Sequence, residues 1–174
     1  MFTLAALIFS WMGDILLMFQ EAKPVFFMSG LGAFWLAHAF YILDYKKVAV
    51  ASGKIYGSKY SIIQALIISG YAIFLIAVVY DNLGEMKIPV ILYAVVISVM
   101  LWSAFSRRGK TFPGSFYFVA AGSALFVLSD SLLALNKFWS PLPEADLFIM
   151  ATYISVQFLI IQGLVKHVTW VKEL

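Results

Sequence analysis

Apolar residues run along this chain in six stretches, at 1 to 20, 24 to 45, 61 to 80, 89 to 106, 114 to 136 and 147 to 165, with few charges inside them. Each approaches the roughly 20 residues that an α-helix needs to cross the hydrocarbon of a bilayer. The pattern predicts an all-α, polytopic integral membrane helix bundle of six spans, one transmembrane helical domain over 1–174. The connectors are short and carry residues that break helices: Pro24, then Gly53 and Gly57, Gly84 and Pro89, Gly109, Pro113 and Gly114, and finally Pro141 and Pro143. The first stretch has no basic leader and no small-residue cleavage site, so it is expected to stay in place as a span.

Charge orients the bundle. Counted by alternate connectors, Lys46, Lys47, Lys54, Lys59, Arg107, Arg108, Lys110, Lys166 and Lys172 fall on one side, against Lys23, Lys87 and Lys137 on the other. The positive-inside rule then expects both termini in the cytoplasm, with an inner or plasma membrane as the site. Trp102, Trp139 and Trp170 lie near span ends, where an aromatic belt belongs. The composition agrees: 63% hydrophobic, 12% charged and a mean hydropathy of +0.95, far from the mixture of a soluble domain. The net charge of +3 sits in connectors and speaks to topology, so no nucleic-acid partner is expected.

What is missing narrows the chemistry. Without cysteine the chain has no disulfide, thiolate nucleophile or Cys-ligated metal. Two histidines, His38 and His167, are too few for a His-rich metal cluster, and there is no His-Glu-x-x-His. Neither metal nor cofactor is expected.

Two acids stand out against this background. Asp14 and Asp130 each sit inside a span and each opens a similar string, Gly13-Asp14-Ile15-Leu16-Leu17 and Ser129-Asp130-Ser131-Leu132-Leu133. A carboxylate at the centre of a spanning helix costs roughly 2.5 to 3.5 kcal/mol on insertion scales, and an acid kept there at that cost points to function. Counted from the span ends at 1.5 Å per residue, both lie roughly 10 Å below the non-cytoplasmic side. Tyr153 and Gln157 come out at about 9 and 15 Å, in the same layer, whereas His38 falls near 20 Å, below the acids. A lone acid can serve merely as an interhelical hydrogen bonder. Two at one depth favour chemistry.

On span 1, Ser10, Gly13, Asp14 and Leu17 share a helical face that is small and polar. On span 5 the corresponding stripe is Gly122, Phe126, Ser129, Asp130, Leu133, Asn136 and Lys137, and the small residues Ala120 to Ser123 would let another helix approach closely. The matching strings raise a parallel repeat, spans 1 and 2 recurring as spans 5 and 6.

At these residues the chain resembles the YhhN-type lysoplasmalogenase family. The likeness rests on Phe9-Ser10 with Gly13-Asp14; Gly32, Phe34, Ala37-His38 and Tyr41-Ile42; Pro89-Val90, Tyr93 and Met100; Gly122, Phe126, Ser129-Asp130, Leu133 and Asn136-Lys137-Phe138; and Tyr153 with Gln157. It implies hydrolysis of the sn-1 vinyl ether of a lysoplasmalogen, a lysophospholipid drawn from membrane lipid, to a fatty aldehyde and a glycerophosphodiester. Members of that family usually carry two spans ahead of the Gly-Asp helix. This sequence begins at that helix, so a late start or a shortened variant is expected.

Vinyl ether hydrolysis begins with protonation of the outer alkene carbon, giving an oxocarbenium ion that water captures. It needs a general acid that keeps its proton near neutral pH, and burial in apolar surroundings favours the neutral form of a carboxyl group. A second, ionised carboxylate would stabilise the cation and activate water. The resemblance thus implies Asp14 and Asp130 as the catalytic pair. Asp130 is expected to give the proton because Phe126, Leu132 and Leu133 surround it more fully than Ser10 and Gly13 surround Asp14. Ser10, His38, Tyr41, Ser129, Asn136, Lys137, Tyr153 and Gln157 are the expected substrate-binding residues, with Lys137 meeting the phosphate at the interface. The rival readings are a proton-coupled small-molecule carrier and a noncatalytic membrane scaffold. A metal hydrolase using His38 is disfavoured by its depth.

Overall fold

A computed structural model describes residues 2–20, 22–51 and 58–172. Gly53, Lys54 and Gly57 of the second connector lie outside the described residues, as do the side chains of Lys59, Trp170 and Lys172. The described residues form six α-helices: α1 (Thr3–Met18), α2 (Pro24–Ala51), α3 (Ser58–Val79), α4 (Lys87–Phe105), α5 (Pro113–Phe138) and α6 (Ala145–Lys172). Two single turns of 3-10 helix, Tyr80–Asn82 and Gly84–Met86, join α3 to α4, and there is no strand among the described residues.

The breakers act as their chemistry dictates. Pro24 and Pro113 stand at the first position of α2 and α5, where a missing N–H costs nothing. Gly109 turns the α4–α5 connector at φ 67° and Gly84 the α3–α4 connector at φ 53°, a left-handed backbone that side chains resist.

Five helical stretches are long and apolar enough to cross a membrane: Pro24–Lys47, Ser61–Asn82, Gly84–Phe105, Pro113–Phe138 and Ala145–Thr169. The protein is therefore an integral, multi-pass membrane protein. The first expected span is shorter than 1 to 20, because α1 has 16 residues, about 24 Å of helix against roughly 30 Å of hydrocarbon. By contrast, α2 and α6 continue past the ends of their apolar stretches to Ala51 and Lys172. Hydropathy stops where charge appears, but the helix does not: Asp44 and Tyr45 at the end of the second stretch are buried against other helices.

The bundle is greasy outside and polar inside. Leu66, Ile67, Ile73, Phe74, Leu92, Leu147 and Phe148 face outward, as a lipid-facing surface requires. Inside lie Ser10, His38, Ser103, Ser115, Ser123, Ser129 and Ser131, with Tyr41, Tyr45 and Tyr93. Interhelical hydrogen bonds and close packing, rather than hydrophobic burial, hold helices together in lipid.

α5 and α6 pack most closely, α1 and α2 next, α4 bridges α2 and α5, and α3 flanks α4. Gly122 and Gly163 account for the α5–α6 approach. A Cβ on Gly122 would stand 2.8 Å from Ile160 Cγ1, and one on Gly163 would stand 2.7 Å from Val119 Cγ2 and 3.0 Å from the Ser115 carbonyl. The small-residue run expected on span 5 does allow the close contact.

Asp44 ties α1 in place. Its carboxylate accepts from the Phe2 N–H at 2.9 Å and the Thr3 hydroxyl at 2.5 Å, so α2 supplies the cap that α1 lacks in its own sequence.

Candidate functional site

Asp130 sits two turns from the C-terminal end of α5, on the stripe that carries Phe126 and Ser129. Its Oδ2 accepts a hydrogen bond from the Tyr93 hydroxyl of α4 at 2.5 Å, and His38 Nε2 of α2 lies 3.6 Å from the same oxygen. His38 Nε2 and the Tyr93 hydroxyl are 2.9 Å apart. A phenol has one hydrogen to give; with Tyr93 donating to Asp130, His38 must donate to Tyr93. The three side chains form a directed series, His38 to Tyr93 to Asp130.

This corrects the depth assigned to His38. Counting from span ends assumes that the ends are flush, and they are not: Phe27, in the first turn of α2, already meets Phe138 at the end of α5, with ring centroids 5.7 Å apart. Below that shared level His38 is about 16 Å down and Asp130 about 12 Å, a difference that two side chains span. His38 is wholly buried, with Phe126 edge-on at 4.5 Å.

Asp14 gathers a second cluster. On α1, Ser10 and Gly13 are buried and Asp14 is partly so, and a Cβ on Gly13 would stand 2.6 Å from the Phe34 ring, so the glycine lets α2 come close beside the acid. The Tyr153 hydroxyl of α6 is directed at the Asp14 carboxylate, near Gln157 and Ser10. Tyr41 donates to Gln157 Oε1 at 2.7 Å. Ser10 Oγ, Gln157 Nε2 and His38 Nδ1 are buried without a hydrogen-bond partner, three polar atoms able to hold water or a substrate oxygen.

The two clusters abut. Phe34, Phe126 and Tyr153 pack edge to face at centroid distances of 5.8 to 6.4 Å between them, and Asp14 and Asp130 lie within electrostatic range of each other. Each acid has its own tyrosine.

Asp130 also faces outward. A cleft of about 420 Å³ runs between α3, α4 and α5, walled by Ile68, Leu75, Ile97, Leu101 and Val127, with Tyr93, Asp130 and Ser131 as its polar spot. Tyr71 on its wall donates to Ser131 at 2.8 Å. Asp14 does not line this cleft.

Three candidates stand elsewhere. Ser129 donates to the Ile149 carbonyl at 3.2 Å and stitches α5 to α6. Asn136 Oδ1 accepts from the Leu142 N–H at 2.9 Å and shapes the α5–α6 connector. Lys137 is exposed at the end of α5, its Nζ 5.5 Å from the Phe27 ring centre. Tyr93 carries more of the site than its place in the sequence suggests, because a tyrosine in an apolar span reads as ordinary packing. Its signal in the sequence is its place beside Pro89 and Val90 among the residues that carry the family resemblance. Among the described residues no three His, Cys, Asp or Glu side chains converge as metal ligands.

Comparison with known proteins shows the family. The YhhN family profile matches residues 1–164. Human lysoplasmalogenase TMEM86B is 32% identical over 155 residues, covering 89% of this chain and 59% of its own length. The mouse TMEM86B is 30% identical over 162 residues, 93% of this chain and 62% of its own. Human lysoplasmalogenase TMEM86A is 28% identical over 162 residues, 88% of this chain and 61% of its own. The chain thus spans about three fifths of the length of the curated relatives it matches. No solved structure matches it.

Proposed function

This chain belongs to the YhhN family, and on that footing we propose that it is a membrane-embedded hydrolase that cleaves the sn-1 vinyl ether of lysoplasmalogens to a fatty aldehyde and a glycerophosphodiester. The observation that carries the reading is Asp130, a carboxyl group facing an apolar cleft with a histidine and a tyrosine in series behind it. The relatives are named for this activity.

The cleft takes the alkenyl chain, and Asp130 meets the double bond at its polar spot. Asp130 gives its proton to the outer alkene carbon, leaving an oxocarbenium ion at the carbon next to oxygen. Water adds there and passes a proton to His38 Nδ1, which has no other hydrogen-bond partner, and the hemiacetal breaks to aldehyde and alcohol. His38 and Tyr93, hydrogen-bonded in order, return a proton to Asp130. Asp14 supplies negative charge from behind the aromatic rings as the cation develops, the division of labour of other carboxylate pairs with such transition states. The unpartnered atoms of Ser10 and Gln157 hold water or a glycerol oxygen.

Lys137 stands two turns beyond Asp130, about 10 Å along the helix, a distance that suits the phosphate of a lysolipid whose ether is at Asp130. Both termini face the cytoplasm of an inner or plasma membrane. All six helices run unbroken past the acids, which speaks against the interrupted helices of a carrier.

The test is aldehyde release by purified protein from a plasmenyl lysophosphatidylethanolamine and from its saturated ether analogue. Release is expected from the vinyl ether alone, falling about 100-fold or more with Asp130→Asn and measurably with Asp14→Asn. Release from both lipids, or full activity in Asp130→Asn, contradicts the reading.

A further inference from the structure

The Lys- and Arg-rich end of the bundle holds a second cavity, of about 490 Å³, at the α4–α5 connector and the start of α3. Its lining includes Ser61, Gln64, Arg108, Lys110, Thr111 and Tyr117, two cations and several donors, with no acid among the described residues that line it. Gly109, left-handed between Arg108 and Lys110, makes the tight turn that brings both basic side chains to one cavity. Phe105 lines this cavity and also the apolar cleft, so a polar, cationic chamber shares a wall with a greasy one.

We propose that this cavity binds the phosphate of an anionic glycerophospholipid, with an acyl chain lying over Phe105 and Leu101 at the inner end of the cleft. Two cations with no acid among the described lining residues favour a phosphate. The shared wall at Phe105 favours a lipid over a free anion, because it places a chain beside the headgroup. The headgroup site is remote from the catalytic residues: Pro113, on its rim, is about 25 Å along α5 from Asp130.

Trp102 is a reporter at the rim, its Nε1 donating to the Ser61 carbonyl at 3.2 Å. A variant with Trp11, Trp35, Trp139 and Trp170 changed to phenylalanine leaves it as the single tryptophan. That protein is placed in phosphatidylcholine vesicles doped with either dibrominated phosphatidylglycerol or dibrominated phosphatidylcholine, and Trp102 quenching is titrated. The proposal expects phosphatidylglycerol to be preferred roughly thirtyfold, the effect of two basic side chains. The preference should vanish in R108Q/K110Q and persist in Asp130→Asn. Equal quenching by the two lipids in the parent protein overturns the proposal without recourse to the double variant. Loss of the preference on adding inorganic phosphate overturns the lipid assignment in favour of a free anion.

Discussion

His38 Nε2 stands 3.6 Å from Asp130 Oδ2, and the Tyr93 hydroxyl closes the triangle with contacts of 2.9 and 2.5 Å. Three helices, α2, α4 and α5, each contribute one member. Buried polar groups in lipid are retained when every link is made, and here the links also have a direction.

Tyr93→Phe keeps the ring and removes the hydroxyl that joins His38 to Asp130. Turnover should fall about 10- to 100-fold, with the KM for a plasmenyl lysolipid changed little, because the hydroxyl acts on proton transfer rather than on chain binding. Steady-state kinetics in detergent micelles measure both constants. A rise in KM with kcat intact would place Tyr93 in binding alone.

Ala124 stands on the wall of the apolar cleft, exposed toward it. Ala124→Phe should narrow the cleft and shift preference toward substrates with shorter alkenyl chains, leaving turnover of the shortest within about threefold of the parent. Competition between two chain lengths in one vessel, read as the ratio of the two aldehydes, reports it directly. An unchanged ratio would mean that the chain lies elsewhere.

Arg107, just past the end of α4, is fully buried, its guanidinium donating from Nη2 to Ser115 Oγ at 2.8 Å, with the Tyr45 ring 5.4 Å from its Cζ. Burial pushes its guanidinium down to about 10, while Tyr45 and Asp44 pull the other way, so it is a cation at neutral pH. Removing the hydroxyl leaves that charge without its bond; Ser115→Ala should cost about 1–3 kcal/mol. Arg107→Met removes the charge itself and should cost less than Ser115→Ala. Denaturant titration of the two variants in micelles ranks them, and the reverse order would refute this account of the site.

The helices were legible because lipid forces every span to be both apolar and long, and all six stretches are helical. Depth was less legible. A count from the ends put His38 below the acids, whereas the first turn of α2 reaches Phe138 and brings His38 level with Asp130 within side-chain reach. Ser129 and Asn136 share the stripe of Asp130, but their side chains are spent on the Ile149 carbonyl and the Leu142 N–H. Periodicity shows which face a residue occupies, not which atom it will bond. Tyr93 stands among the residues that carry the family resemblance but not among the expected site residues, for the opposite reason: an aromatic residue in an apolar run satisfies the pattern and raises no contradiction to explain. Arg107, counted as a connector charge in the sequence, turns inward where its neighbour Arg108 is exposed.

Proton delivery to the outer alkene carbon is the central claim, and hydrolysis in deuterated water tests it most directly. With the lysolipid saturating, turnover in deuterated water should fall clearly below turnover in ordinary water, because the slow step moves a solvent-exchanged proton from Asp130 to carbon. Equal turnover in the two solvents would show that proton transfer to the alkene does not limit the reaction, and the roles given to Asp130, Tyr93 and His38 would fall with it.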